Sequence, residues 1–293
     1  MKNSSGTILK NYLQLSKLTI MVPVSLTGFT GYFIYESHLS VRIILLTLGV
    51  LFMAISASAL NQVQEAIPDG LMERTRNRPV PSGRISKTDA IIFSGGSLLA
   101  GLLLIWFNGT IQAVLTGLFT IFWYNGIYTV SKRVTAFAVV PGALTGALPP
   151  LIGWLAAGGG IWDKHIIFLE FLFFVGQIPH FWLLILRYGK DYKLAGFPVI
   201  TDVFKKDQIN RLTYTWILTA VMAALFLPFF GIIRNLIVIG VLLIASVFVV
   251  WKFAGLTKEG TDESSAVKYS RMLDLYFLLI MVLLMTDRII EIN

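Results

Sequence analysis

Leu60–Ser86 reads LNQVQEAIPDGLMERTRNRPVPSGRIS, three acids and four arginines within 27 residues of a mostly apolar chain. Asn61, Glu65 and Asp69 recur at i, i+4 and i+8, the spacing that stacks side chains on one face of a helix. Pro68 has no N–H for the carbonyl four residues back, so the last turn is expected to loosen. Arg74, Arg76, Arg78 and Arg84 follow. Oxygen ligands beside guanidinium forks suit a magnesium-bound polyphosphate, because Mg²⁺ takes carboxylates with substrate phosphates and Arg grips phosphate bidentately. The alternative is an ordinary solvated, positively charged loop. It is disfavoured because Asn61 and Glu65 end an apolar span, where an ionisable group is costly unless used.

Outside this segment the chain is hydrocarbon-like. Of 293 residues, 56% are hydrophobic and 14% charged, with a mean hydropathy of +0.75. Those values lie on the apolar side of soluble domains and point to an all-α integral membrane protein. Runs of about 20 apolar residues place spans near 18–35, 41–63, 88–107, 111–130, 136–156, 166–187, 212–230, 232–253 and 271–290. Asn108-Gly109 and Gly158-Gly159-Gly160 mark turns between them. No linker interrupts the series, so 1–293 is expected to be one transmembrane domain. The net charge of +8 does not suggest nucleic acid, since the basic residues lie in short loops between spans. The absence of cysteine excludes disulfides and thiolate chemistry. Lys2, Lys10 and Lys17 before the first run imitate a signal peptide, but no small-residue cleavage site follows and the run is long enough to span.

Of the 24 Lys and Arg residues, 20 fall on one side when the N-terminus is cytoplasmic; Arg42, Lys164, Arg234 and Arg288 fall on the other. That asymmetry puts the loops 64–87 and 188–211 on the same cytoplasmic side. A shared active site requires this.

Two further groups of polar residues accompany the first. Gln177-Ile178-Pro179-His180-Phe181-Trp182 lies in the sixth span, with Arg187, Lys190, Asp191 and Tyr192 after it. His180 is either a hydrogen-bonded packing residue or a ligand, and Arg187 follows two turns along the same face. A carboxylate at Asp191 facing the first group would let metal ions clamp a diphosphate from both sides; Asp202 and Asp207 read as plain loop charges. Tyr124, Asn125, Tyr128, Thr129, Lys132 and Arg133 close the fourth span, where Tyr also serves an interfacial belt and the two cations serve equally as topology signals. In the fifth span, Gly142, Gly146 and Gly153 permit close helix approach. Pro149-Pro150 should break or kink that span. His38 and His165, in far-side loops without partners at ligand spacing, read as solvated.

Taken together, Asn61-x-x-x-Glu65-x-x-x-Asp69, Met72-Glu73-Arg74-Thr75 and Asn77-Arg78-Pro79 resemble the first aspartate-rich motif of the UbiA-type intramembrane prenyltransferases. Met-Glu-Arg-Thr, Pro179-His180-Phe181 and Asp191-Tyr192-x-x-Ala195-Gly196-x-Pro198 are similar to the haem O synthase branch. Pro149-Pro150-x-x-Gly153-Trp154, Tyr128-Thr129 with Lys132-Arg133, and the late Tyr276 and Asp287 fit it too, so the resemblance runs from about residue 12 to 290. The chain departs from the pattern in three places. Glu65 replaces the commoner Asp, the second region lacks a paired Asp-x-x-x-Asp, and Gly176 stands before Gln177 where Trp is expected.

The resemblance implies a nine-helix bundle with a central cavity opening to the cytoplasmic side. It implies Mg²⁺ on Asn61, Glu65, Asp69 and Asp191, and farnesyl diphosphate held by Arg74, Arg78, Lys132, Arg133 and Tyr192. Haem b, engaged by His180 and Arg187, would be farnesylated at a vinyl group through an allylic carbocation. Membrane lipid, a haem A synthase or a terminal oxidase would be its partners, in a plasma (inner) membrane; the absence of an Arg- and Ser-rich presequence points the same way. Two other readings stay open. A quinone precursor or a chlorophyll could be the acceptor, though an aromatic acid has no need of an iron-facing His. A transporter would spread polar residues through the membrane's depth, whereas here they gather at the cytoplasmic ends.

Overall fold

A run of apolar residues in lipid has no water to satisfy its backbone, so each span must close its hydrogen bonds internally as helix. The computed structural model describes residues 4–257 and 263–292, and its regular structure there is helical. The order is α1 Ser4–Ser16, α2 Leu18–Glu36, α3 Val41–Gln64, α4 Ala66–Leu71, α5 Lys87–Asn108 and α6 Ile111–Phe122. A π-helical stretch, Trp123–Tyr128, leads from α6 into α7 Thr129–Ser131. Then come α8 Val139–Ala156, α9 Lys164–Leu194, α10 Lys206–Phe226, α11 Leu236–Phe253 and α12 Glu263–Ile292. Side chains at N-caps start five of these helices by accepting backbone N–H bonds: Ser40, Ser86, Thr110, Asp163 and Asn235.

Eight of the described helices are long and apolar enough to cross a membrane. The ninth expected span, 271–290, falls within α12, which is not among the eight. Arg271, Asp274, Asp287 and Arg288 interrupt its apolar run, and nine crossings are not confirmed.

The double proline leaves α8 unbroken, with Pro149 and Pro150 both inside it. Tertiary packing overrides the local preference here. α8 packs along α2, and a Cβ on Gly31 would overlap the Pro150 carbonyl while one on Gly153 would overlap that of Gly28. Only hydrogens fit where the two backbones meet. Elsewhere α3 runs along α5, α8 along α9, and α9 along α10 and α12. Polar links bridge helix seams, Ser56–Ser94 between α3 and α5 (3.0 Å) and Ser246–Tyr276 between α11 and α12 (2.8 Å).

Phe277 accounts for the departure at Gly176. Its ring from α12 occupies the space a side chain on Gly176 would need. The far end of the bundle closes on a buried carboxylate. Asp287 is fully buried and accepts from the backbone N–H groups of Arg234 (3.0 and 3.1 Å) and Asn235 (2.8 Å). His165 is only half-exposed rather than solvated, paired with Asp163 at 2.6 Å and packed near Trp154.

Candidate active site

The ladder Asn61, Glu65, Asp69 survives the end of α3. Backbone bonds run from Glu65 N to Asn61 O (2.9 Å) and from Asp69 N to Glu65 O (2.8 Å), so helical phase carries from α3 into α4. Pro68 leaves the carbonyl of Gln64 without its usual donor. Arg133 supplies the replacement, its Nη2 donating to Gln64 O at 2.5 Å. The expected loosening is therefore present and repaired from another helix.

All three ladder residues are buried, at 2%, 5% and 1% exposure. Burying two carboxylates in a membrane protein demands compensation. Lys132 Nζ lies 2.5 Å from Glu65 Oε1, and Arg78 Nη1 donates to Asp69 Oδ2 at 2.6 Å. Asn61 Nδ2 donates to Thr129 Oγ1 (3.1 Å), and that hydroxyl donates to the Tyr124 carbonyl (2.9 Å) within the π-helical stretch. The wider turn also sets Asn125 against α3, where it bonds Ala57 O (3.1 Å) and Gln64 Oε1 (3.0 Å). Thr75, fully buried, donates to the Asp69 carbonyl (2.8 Å) and folds the arginine loop back over the ladder.

The arginines divide by role. Arg78 faces the ladder. Arg84 ties the loop together, donating to Asn11 Oδ1 (2.7 Å), Ser82 Oγ (3.0 Å) and the Asn77 carbonyl. Arg76 is exposed. The backbone N–H of Arg74 donates to Asp191 Oδ2 at 3.3 Å, and its guanidinium lies over the Tyr188 ring, as does that of Arg187. The 64–87 connection thus touches the last turns of α9, which runs on to Leu194, so Asp191 lies in helix and not in the expected loop. Glu73, Arg74, Arg187, Tyr188, Lys190, Asp191 and Val267 surround a cavity of about 640 Å³, within the usual range of ligand sites.

α9 presents two adjacent faces. Phe181, Leu184, Ile185 and Tyr192 line a narrow, mostly apolar cleft with Tyr128 and Lys132. His180, Arg187 and Asp191 lie about 100° around the helix, towards α12. His180 lines neither cavity; its Nδ1 is 2.9 Å from Asp274 Oδ1.

Lys17 counted in the sequence only as a topology charge, yet the fold sets it in the field of the ladder's charges. It sits in the left-handed region (φ 45°, ψ 46°) between α1 and α2, a conformation that costs a non-glycine residue about 1–2 kcal/mol. Burial, then the Arg78 cation, lower its pKa to about 7, with Lys132 adding and Asp69 and Glu65 opposing. Burial likewise lowers the Lys132 amine, against the pull of Glu65. Three cations, Lys17, Arg78 and Lys132, therefore share a field with two carboxylates. No periodicity announces such a lysine, because its role comes from where a strained junction lands.

An amide oxygen and two carboxylates are the donor set Mg²⁺ accepts when substrate phosphate completes its shell. Among the described residues, no three His, Cys, Asp or Glu groups converge as a metal cage. Asp191 stands near the end of α9, beside Arg74.

Residues 24–280 match the UbiA prenyltransferase family. The chain is similar to a protein named protoheme IX farnesyltransferase from Oleidesulfovibrio alaskensis, 33% identical over 267 residues, covering 91% of this chain and 92% of that one. It is 41% identical over 184 residues to a protein of the same name from Geobacter sulfurreducens, covering 63% and 68%. In fold it is similar to a solved digeranylgeranylglyceryl phosphate synthase, with TM-score 0.77 at 19% identity, covering 96% and 98%. A UbiA homolog from Archaeoglobus fulgidus, bound to GPP and Mg²⁺, superposes with TM-score 0.67 at 15% identity, covering 94% and 99%.

Proposed function

The chain belongs to the UbiA prenyltransferase family, and on that premise we propose that it farnesylates protohaem IX to give haem O. The observation that supports this reading is the meeting of the 64–87 connection with the C-terminal end of α9. Arg74 and Asp191, 117 residues apart, bond at the cytoplasmic end of a bundle whose buried ladder holds a carboxamide and two carboxylates. Relatives named protoheme IX farnesyltransferase, matched over most of their length, support the acceptor.

In this reading Asn61, Glu65, Asp69 and Asp191 hold Mg²⁺, which when bound draws off charge from the diphosphate oxygens. Lys17, Arg74, Arg78 and Lys132 offer positive charge where the leaving group becomes more negative, and Tyr192 stands beside them. The allylic C–O bond breaks with its electron pair on the diphosphate. The π electrons of a haem vinyl group form the new C–C bond to farnesyl C1. Water then adds to the remaining cationic carbon and loses a proton, leaving a hydroxyethylfarnesyl substituent. Tyr128, Phe181 and Tyr192 turn π faces and apolar surface to the cleft beside Lys132, which shelters a carbocation from water and stabilises it. Arg133 has a structural task at Gln64, and we do not assign it to the diphosphate.

His180 and Arg187 are assigned to haem: an imidazole for iron and a guanidinium for a propionate. The whole chain acts as one multi-pass domain in a plasma membrane with its N-terminus cytoplasmic, and a haem A synthase or terminal oxidase would receive the product. The test incubates membranes bearing the protein with haem b, farnesyl diphosphate and Mg²⁺, with and without chelator. A haem heavier by one hydroxyfarnesyl group should form and should vanish with chelator. No such product, or one indifferent to chelation, would overturn the reading.

A further inference from the structure

Asp274 has no part in the reaction as described, yet it is placed against the residue assigned to haem iron. Its Oδ1 lies 2.9 Å from His180 Nδ1, across 94 residues of sequence. The side chains remain 34% and 56% exposed, on a stretch of α9 and α12 deep within the bundle's length. A carboxylate at that depth is costly without a use or a partner. An ionised carboxylate can only accept, so Nδ1 is the donor in this bond, and in the neutral imidazole it is Nε2 that carries the lone pair. That is the arrangement in which metal-ligating histidines are usually found, with the remote nitrogen donating to a carboxylate that fixes tautomer and ring orientation.

The approach of α12 has its own cause. Gly176, one turn before His180, gives up its side-chain volume to the Phe277 ring, and Phe277 follows Asp274 by one turn on α12. The contact sets the register in which Asp274 reaches His180. The same seam leads to the site. His180, Arg187 and Asp191 share one face of α9, with Arg187 about 10 Å nearer the cytoplasmic loop. Val267, two turns before Asp274 on α12, joins Arg187, Asp191 and Arg74 around the larger cavity.

We propose that Asp274 is a positioning residue for the acceptor: through Nδ1 it holds His180 with Nε2 presented to haem iron. This rests on the assignment of His180 to haem made above. Asp274 touches neither iron nor farnesyl diphosphate. Its effect is to fix one tautomer and to make the imidazole a stronger donor.

The experiment titrates haem b into the full-length protein in lipid nanodiscs and follows ferric and ferrous absorption spectra. Wild type, Asp274→Asn, Asp274→Glu and His180→Ala are compared, the last with and without added imidazole. Asp274→Asn should weaken haem binding roughly 10- to 100-fold, alter the axial-ligand bands and raise the reduction potential, while the KM for farnesyl diphosphate stays near wild type. Asp274→Glu should recover part of the spectrum. His180→Ala should lose the axial-ligand bands and regain them with imidazole. If His180→Ala binds haem with an unchanged spectrum, the assignment of His180 itself fails. If His180→Ala loses the bands while Asp274→Asn keeps wild-type affinity and spectrum, only the role of Asp274 is overturned.

Discussion

Arg133 donates from Nη2 to the carbonyl of Gln64 at 2.5 Å, the carbonyl that Pro68, four residues on, has no N–H to serve. A cation read as a diphosphate contact is thus a substitute rung in the helix that carries the carboxylates. Arg133→Met should destabilise the junction by about 1–3 kcal/mol, the usual cost of removing a charged donor from a backbone acceptor, and should lower activity through the ladder. Pro68→Ala restores the missing N–H and should recover most of that loss in the double variant. Unfolding midpoints and turnover of the four proteins in the cycle measure the coupling. A double variant no better than Arg133→Met would return Arg133 to the substrate.

Glu65 and Asp69 are buried against Lys132 and Arg78 just beyond the ends of the spans. Glu65→Gln and Asp69→Asn each keep the shape and remove the charge. Each should cut prenyl transfer about 100-fold or more, the scale of losing one electrostatic contact to a developing charge. The apparent Mg²⁺ requirement should rise in each. The double change should abolish haem O formation, and product at wild-type levels from it would remove the metal site from the ladder.

If Lys17 serves the proposed diphosphate site, binding there should depend on pH. Its pKa lies near 7, and a bound polyanion should raise it, so binding takes up a proton. Affinity for a non-reacting farnesyl diphosphate analogue should therefore fall as pH rises above about 7, by up to tenfold per unit for one proton. Lys17→Met should weaken binding and flatten that dependence. Folding runs the other way. Between about 7 and the ordinary lysine value, the unfolded chain holds a proton that the folded chain has released. Stability contributed by this group therefore rises with pH across that window. Calorimetric titration in buffers of different ionisation enthalpy reads the proton directly.

At the α2–α8 crossing, Gly31→Ala and Gly153→Ala each place a methyl group into the facing helix's backbone. Each should cost about 1–3 kcal/mol as overpacking, seen as a lower thermal midpoint in detergent. An unchanged midpoint would mean that the two helices separate without loss.

Removing Asp287 tests the far end of the bundle. Asp287→Ala strips the acceptor from the N–H groups of Arg234 and Asn235 and should cost about 2–4 kcal/mol through two unsatisfied donors. The KM for farnesyl diphosphate should stay near wild type, because the site lies at the other end of the spans.

Some of this protein is written in its primary structure. Apolar runs of membrane length and the i, i+4, i+8 spacing of Asn61, Glu65 and Asp69 are local properties, since a helix converts sequence spacing directly into direction. The strong Lys and Arg asymmetry is likewise read by counting. The spans near 41–63 and 88–107 accordingly reappear almost residue for residue as α3 and α5. What escaped depends on partners far along the chain. Arg133 meets Gln64 across 69 residues, Asp274 meets His180 across 94, and Lys17 comes into the field of the carboxylates at a left-handed junction. Pro149 and Pro150 sit inside an intact helix because neighbouring α2 offers glycine at the crossing. Periodicity tells which face a side chain occupies; which atom it finds there is settled by the packing of other helices, and no local pattern encodes that.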